Sequence, residues 1–293
     1  MKTAIMTDTN SGILKKEAEE LRIFSIPMPV IIEGETFFEG DNITEDAFYE
    51  ALTGGKEIST SMPSPMDVLE MWESIFRQGY DQIVYVPMSS GLSTSCAAAA
   101  GLAKDYEGRV FVADNHRISI PLKEAVLEAK HMADSGASGS EIKAYLEKEA
   151  YNSSIYIAVD TLEYLKKGGR ITAAAAAVGT VLNLKPILTI QGGKLDSFAK
   201  VRGMKKCLAR MLDALQEDIE KRFSREKPEN LVVGIAGTAL SREYIEMCKN
   251  AVRERFPLAK TYYNPLSLSI GCHVGPGAAG VAVMSRKDGT AAD

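Results

Sequence analysis

The sequence is poor in the residues that most often carry chemistry: 3 histidines, 4 cysteines and 1 tryptophan in 293 residues. The cysteines (Cys96, Cys207, Cys248, Cys272) stand far apart with no C-x-x-C spacing. That excludes a disulfide scaffold and a zinc knuckle, and it fits a reducing cytoplasm. The histidines (His116, His131, His273) are scattered, without the spaced pair on one helix that zinc enzymes show, so no metal and no cofactor are expected. No stretch approaches the roughly 18 apolar residues of a membrane span. The nearest, residues 171–182, is shorter and rich in small side chains. Positive charge is not in excess either. Lys plus Arg is 34 against 39 Asp plus Glu, a net charge of −5, and no basic cluster is expected to offset it. A nucleic-acid partner is therefore disfavoured. The opening Met1 to Asp8 meets an acidic residue too early for a signal peptide and reads as a first strand.

What is present is ordinary globular material, 45% hydrophobic and 25% charged, on a length that predicts about two domains. Short β-branched apolar runs (Ala4–Thr7, Ile83–Val86, Val110–Ala113, Ile155–Val159, Leu231–Ala236, Val281–Met284) read as strands buried on both faces. Amphipathic stretches between them predict helices over Thr44–Leu52, Pro65–Arg77, Thr94–Tyr106, Pro121–Asp134, Ser140–Ala150, Met204–Phe223 and Ser241–Phe256. The alternation predicts two α/β domains with mainly parallel sheets. The polar Tyr151-Asn152-Ser153-Ser154 marks an approximate boundary: an N-terminal α/β domain over 1–153 and a C-terminal one over 154–293, with exchange of segments allowed. Two hairpins are expected, Pro29–Phe38 around Glu33-Gly34-Glu35 and Ile187–Phe198 around Gln191-Gly192-Gly193-Lys194.

Familiar catalytic patterns fail on context. Gly275-Pro276-Gly277-Ala278-Ala279-Gly280 has G-x-G-x-x-G spacing, but a strand follows the glycines where a dinucleotide site needs a helix. Gly55-Lys56 and Gly193-Lys194 lack the rest of a phosphate-binding loop. Gly91-Leu92-Ser93-Thr94-Ser95 resembles a nucleophile elbow without its last glycine.

Three loops rich in hydroxyls remain: Thr7-Asp8-Thr9-Asn10-Ser11-Gly12, Ser59 to Pro65, and Ser89 to Ser95. The last closely follows the strand Ile83–Val86, and ligands of open parallel sheets sit beyond the carboxyl ends of the strands. The plainer reading is that these hydroxyls cap helices and close turns.

These motifs, in this order, resemble the DegV family, the bacterial fatty-acid-binding proteins that serve a fatty-acid kinase. The resemblance runs nearly the full chain, from Thr7-Asp8 to Gly280. It is carried by Thr60-Ser61-Met62-Pro63-Ser64, Ser89-Ser90-Gly91-Leu92-Ser93, the run Leu162 to Ile171 (LEYLKKGGRI), Leu184-Lys185-Pro186-Ile187-Leu188, Arg202-Gly203 and His273-Val274-Gly275-Pro276-Gly277. It implies a soluble carrier rather than an enzyme, with a long-chain fatty acid buried between or within two α/β domains. It places the carboxylate on the hydroxyls of Thr60 and Ser93, with Ser61 beside them and His273 near. Arg202, and with it Arg170, is implied as a contact for the kinase partner or the acyl-phosphate, and transient membrane contact is allowed. The chain departs from the family pattern at Met62 (usually Gln), Thr94 (usually Gly) and Thr9 (usually Ser). Two other classes stay open on the residues alone: a hydrolase or transferase using Ser93 with His273, and a regulatory module that binds a ligand through the hydroxyl loops.

Overall fold

The computed structural model describes residues 1–177 and 184–286, so the latter part of the apolar stretch 171–182 lies outside the described residues. Thirteen strands are described in three sheets: β1 Thr3–Asp8, β2 Phe24–Ile26, β3 Pro29–Ile32, β4 Glu35–Phe38, β5 Ile58–Thr60, β6 Gln82–Val86, β7 Val110–Val112, β8 Ser153–Ala158, β9 Leu184–Ile190, β10 Asp196–Arg202, β11 Leu231–Gly237, β12 Lys260–Pro265 and β13 Ala279–Ser285. The first sheet is ordered β2-β1-β6-β7 and is parallel throughout. A small antiparallel sheet, β4-β3-β5, carries the first predicted hairpin and ends on Thr60. Its turn is closed by Glu33 and Gly34, both at positive φ, as tight hairpins require.

The third sheet has the order β10-β9-β8-β13-β11-β12 and corrects one expectation. The α/β class holds, but only β11 and β12 pair in parallel there; the other four pairings are antiparallel. An apolar run shows that a strand is buried on both faces, not which way its neighbour runs. β13 enters between β8 and β11 from the helix Leu268–Val274, and β9 turns straight into β10, so both reverse direction.

The predicted helices form, Pro65–Arg77 with the expected ends and the others with shifted ones. Pro65–Arg77 begins under a capping box in which Ser64 and Asp67 exchange bonds. Gly139–Lys148 is started the same way by Ser138 and Glu141. The stretch expected as one helix to Tyr106 is α-helical only over Ser95–Leu102, then tightens into a short turn over Ala103–Tyr106. Helix Ser119–Asp134 packs against β1 on one side and β11 and β13 on the other, so it is the filling between the two large sheets. One apolar core accordingly draws on both halves of the chain, from Ile5 and Val84 to Ile157, Val232 and Met284. Among the described residues no helix is long and apolar enough to cross a membrane.

Candidate functional site

The parallel sheet sends its carboxyl ends toward one region, and two hydroxyl loops meet there. Asp8, at the end of β1, is fully buried and accepts backbone hydrogens from Asn10 (2.9 Å) and Met88 (2.8 Å), which ties the first loop to the second. Burial raises its pKa to about 6 against the lowering effect of those bonds. Much of the hydroxyl content is structural, as the plainer reading expected. Thr7 donates to the Val86 carbonyl, Thr9 accepts from Met28 N–H, Ser11 closes its own turn, and Ser64 caps a helix.

Thr60 is different. Its Oγ1 lies 2.9 Å from Nε2 of His273, a residue 213 positions away. His273 sits in the last turn of the helix Leu268–Val274, an element not foreseen in the sequence. Ser267 caps that helix, its Oγ accepting from Ile270 N–H, and the Glu39 carboxylate accepts from Leu268 N–H at its first turn. Burial raises the Glu39 pKa to about 7. The imidazole is held neutral at physiological pH. Burial first, then the nearby Arg170 charge, lowers its pKa to about 4. Its Nδ1 is buried and has no hydrogen-bond partner among the described residues. The flat face of Gly168 makes room for it, since a Cβ at 168 would overlap the ring. The Gly168-Gly169 pair therefore has two separate causes. Gly168 admits the imidazole, and Gly169 ends helix Glu163–Gly168 in the left-handed conformation (φ 70°).

Arg170 closes the same turn by donating through Nη1 to the Gly168 carbonyl, and its Nε reaches the Leu92 carbonyl at 3.3 Å. Expected as a partner contact, it also lines a cavity of about 320 Å³. That volume is at the lower end of small-molecule sites, which run from roughly 300 to 1,000 Å³. Thr60, Ser61, Ser93 and His273 line it as well. Ser93 Oγ accepts from Ser95 N–H (3.2 Å) at the start of helix Ser95–Leu102. Two of the three side chains that depart from the pattern of the resemblance, Thr94 and Met62, meet at this end, Oγ1 to Sδ 3.6 Å. Arg202 is not among the lining residues and stands exposed at the end of β10.

Beyond the hydroxyls the wall is apolar. Ile155, Ile157, Ile190, Ala236 and Ala282 from the six-stranded sheet face Ile120 and Leu165 across it. Three of the chain's 12 methionines (Met28, Met62, Met88) line it too. The second predicted hairpin contributes Ile190 and Leu195, and its turn is pressed onto the Ser89 loop. Ser89 Oγ donates to the Gly192 carbonyl, and a Cβ on Gly91 would run into the backbone of Gly192 and Gly193.

A polar loop end, a buried neutral histidine and one deep apolar cavity on this two-sheet framework can be compared directly with known proteins. The family model described as an uncharacterised protein, DegV family, matches residues 2–286. The chain belongs to the DegV family. A DegV domain-containing protein of Streptomyces coelicolor is 32% identical over 284 residues, covering 97% of this chain and 98% of its own. Two solved DegV structures match over nearly their whole length. A DegV family protein from Thermus thermophilus, described for fatty acid binding, gives a TM-score of 0.86 at 27% identity, covering 97% of this chain and 100% of its own. The DegV of Bacillus subtilis, described as a fatty acid binding protein, gives 0.84 at 26% identity, covering 98% and 100%.

Within this DegV family chain, sequence reasoning missed three polar cavity residues, Asn10, Ser119 and Ser269. Asn10 lay in a loop already marked as hydroxyl-rich, whereas nothing local distinguished the other two. It also missed a basic cluster. Residues 160–210 hold ten Lys and Arg (166, 167, 170, 185, 194, 200, 202, 205, 206, 210) against three Asp and Glu (160, 163, 196), a net of +7 in a chain of net −5. The whole-chain balance concealed it.

Proposed function

We propose that this protein binds a long-chain fatty acid in the cavity, with its carboxylate on the hydroxyls of Thr60 and Ser93, and presents it to a separate fatty-acid kinase that forms the acyl-phosphate. The observation that carries the reading is the joining of Thr60, Ser93, neutral His273 and a deep apolar wall in one cavity. Fatty acid binding by the Thermus thermophilus and Bacillus subtilis relatives supports it.

The physical case runs through both ends of the ligand. Burying about 14 methylenes contributes on the order of 10 kcal/mol before the cost of ordering the chain. The carboxylate needs donors, and hydroxyls and the N–H groups at the start of helix Ser95–Leu102 supply them. A neutral imidazole assists by donating from Nε2 to Thr60 Oγ1, which leaves the Thr60 proton free for the carboxylate. Arg170 adds charge at the mouth without a bidentate clamp, since its Nε and Nη1 already serve backbone carbonyls.

Lys166, Lys167, Lys194, Lys200, Arg202, Lys205 and Lys206 are all exposed. Exposed cations of this number suit an acidic surface on the kinase. Arg202→Ala should change acid binding less than about twofold while lowering acyl-phosphate formation. Equal loss of both would contradict its separate role. A hydrolase using Ser93 and His273 has less support, because the imidazole pairs with Thr60 and its Nδ1 has no orienting carboxylate among the described residues. Denaturing extraction of the purified protein followed by mass spectrometry tests the main reading. A stoichiometric fatty acid is expected. No acid in the extract and none bound on addition would overturn it.

A further inference from the structure

The geometry points to a second polar subsite in the cavity, formed by Ser269, Ser119 and Asn10, that receives a hydroxyl group on the carboxyl-proximal part of the acyl chain. This rests on the fatty-acid reading above and narrows it to oxygenated acids.

A tunnel for a plain hydrocarbon has no use for polar walls, and a hydroxyl that meets an acyl chain without a partner is costly. Ser269 is only 6% exposed, yet it lines the cavity, and among the described residues its hydroxyl has no protein partner. It stands four residues before His273 on helix Leu268–Val274, so the two share a face about one turn apart, about 6 Å along the axis. A carboxylate held at Thr60 and Ser93 does not reach back that far; a substituent a few carbons along the chain does.

Ser119 brings a second hydroxyl, likewise without a protein partner among the described residues. Its backbone is in the left-handed region (φ 55°), a strained conformation for a non-glycine residue. The neighbouring Ile118, Ile120 and Pro121 line the same wall. Asn10 completes the set at 1% exposure. Ser267 Oγ accepts from Ile270 N–H and donates its own proton to Asn10 Oδ1 (2.7 Å), so the amide nitrogen faces away from it. The Asn10 amide nitrogen then lies 2.8 Å from Met88 Sδ. A thioether is a weak acceptor, and the Asn10 side chain also bonds to the Asp8 carboxylate, so Asn10 forms the polar back of the subsite and the two serine hydroxyls are its free groups. None of the three groups is charged, and Arg170 stands at the hydroxyl-loop end beside His273. The subsite therefore suits a neutral oxygen that both donates and accepts, not a second carboxylate.

The test is calorimetric titration of the delipidated protein with hexadecanoic acid, with isomers carrying a hydroxyl on each of the second to sixth carbons, and with the terminally hydroxylated acid. At least one proximal isomer should bind about tenfold tighter than the unsubstituted acid, and the terminal isomer should show no gain. The ratio of hydroxylated to plain affinity should fall toward one in Ser269→Ala. It should also fall in Ser119→Gly, which removes the hydroxyl and relieves the left-handed backbone. Plain acid bound with no isomer preferred, as expected if water alone satisfies these groups, overturns the subsite only. A preference that survives both substitutions also overturns it. Failure to bind any acid overturns the fatty-acid reading and the subsite together.

Discussion

The two large sheets supply unlike things to one cavity. The four-stranded sheet is parallel, so its strand ends and the loops beyond them gather on one side, and there Asn10 and the Ser89–Ser95 loop meet. The six-stranded sheet is mostly antiparallel and has no common carboxyl edge. It offers a face instead, and Ile155, Ile157, Ile190, Ala236 and Ala282 make that face the apolar wall. Parallel pairing concentrates polar loops; mixed pairing provides continuous apolar surface. A ligand with a charged head and a long apolar tail uses both.

The contrast is broken most severely by filling the wall. Ala236→Trp should displace about four methylenes of the ligand, costing roughly 3 kcal/mol, or more than a hundredfold in affinity for a long acid. A shorter acid should be less affected. Equal loss for short and long acids, measured by titration, would mean that this wall does not set the length of the tunnel. The polar end is worth less per residue. Thr60→Ala and Ser93→Ala should each weaken binding by about 2 kcal/mol, the value of a hydrogen bond to a charged group, and should do so equally for short and long acids. Unchanged affinity in both would remove the carboxylate from these hydroxyls.

The smallest effect is on pH dependence. The folded His273 pKa of about 4 lies below its ordinary 6.5, so the unfolded chain takes up a proton that the folded chain refuses as the pH falls through that window. The stability supplied by neutral His273 is present above pH 6.5 and is lost toward pH 4. Glu39 and Asp8, with pKa values raised to about 7 and 6, act in the opposite direction between the ordinary carboxylate range and neutrality. The clean measurement is therefore a difference. His273→Gln should gain about 1 kcal/mol relative to the unaltered chain between pH 6.5 and 4.5, after allowance for solvent screening. A flat difference in denaturant titrations would show that the imidazole is not held neutral by burial.

Legibility followed how local each cause was. The capping box of Ser64 and Asp67, the turn at Glu33-Gly34 and the amphipathic helices were readable because each needs only neighbours in sequence. The helix Leu268–Val274 was not. Seven residues interrupted by Gly271 make a weak periodic signal, and the helix is held by distant groups, Glu39 at its start and the Thr60–His273 contact at its end. The basic stretch 160–210 was in plain view, but it was averaged away by a single net charge.

By itself the sequence determined the α/β class, the membership in the DegV family, the hydroxyl loops and the glycines at 168 and 169, all of which rest on local propensity or contiguous motifs. Only the tertiary structure decided the mostly antiparallel course of the large sheet, the pairing of Thr60 with His273, the neutrality of that imidazole and the lack of a partner, among the described residues, for Ser119 and Ser269. Strand direction, desolvation and the absence of a partner depend on what lies across the molecule, and no window along the chain contains that information.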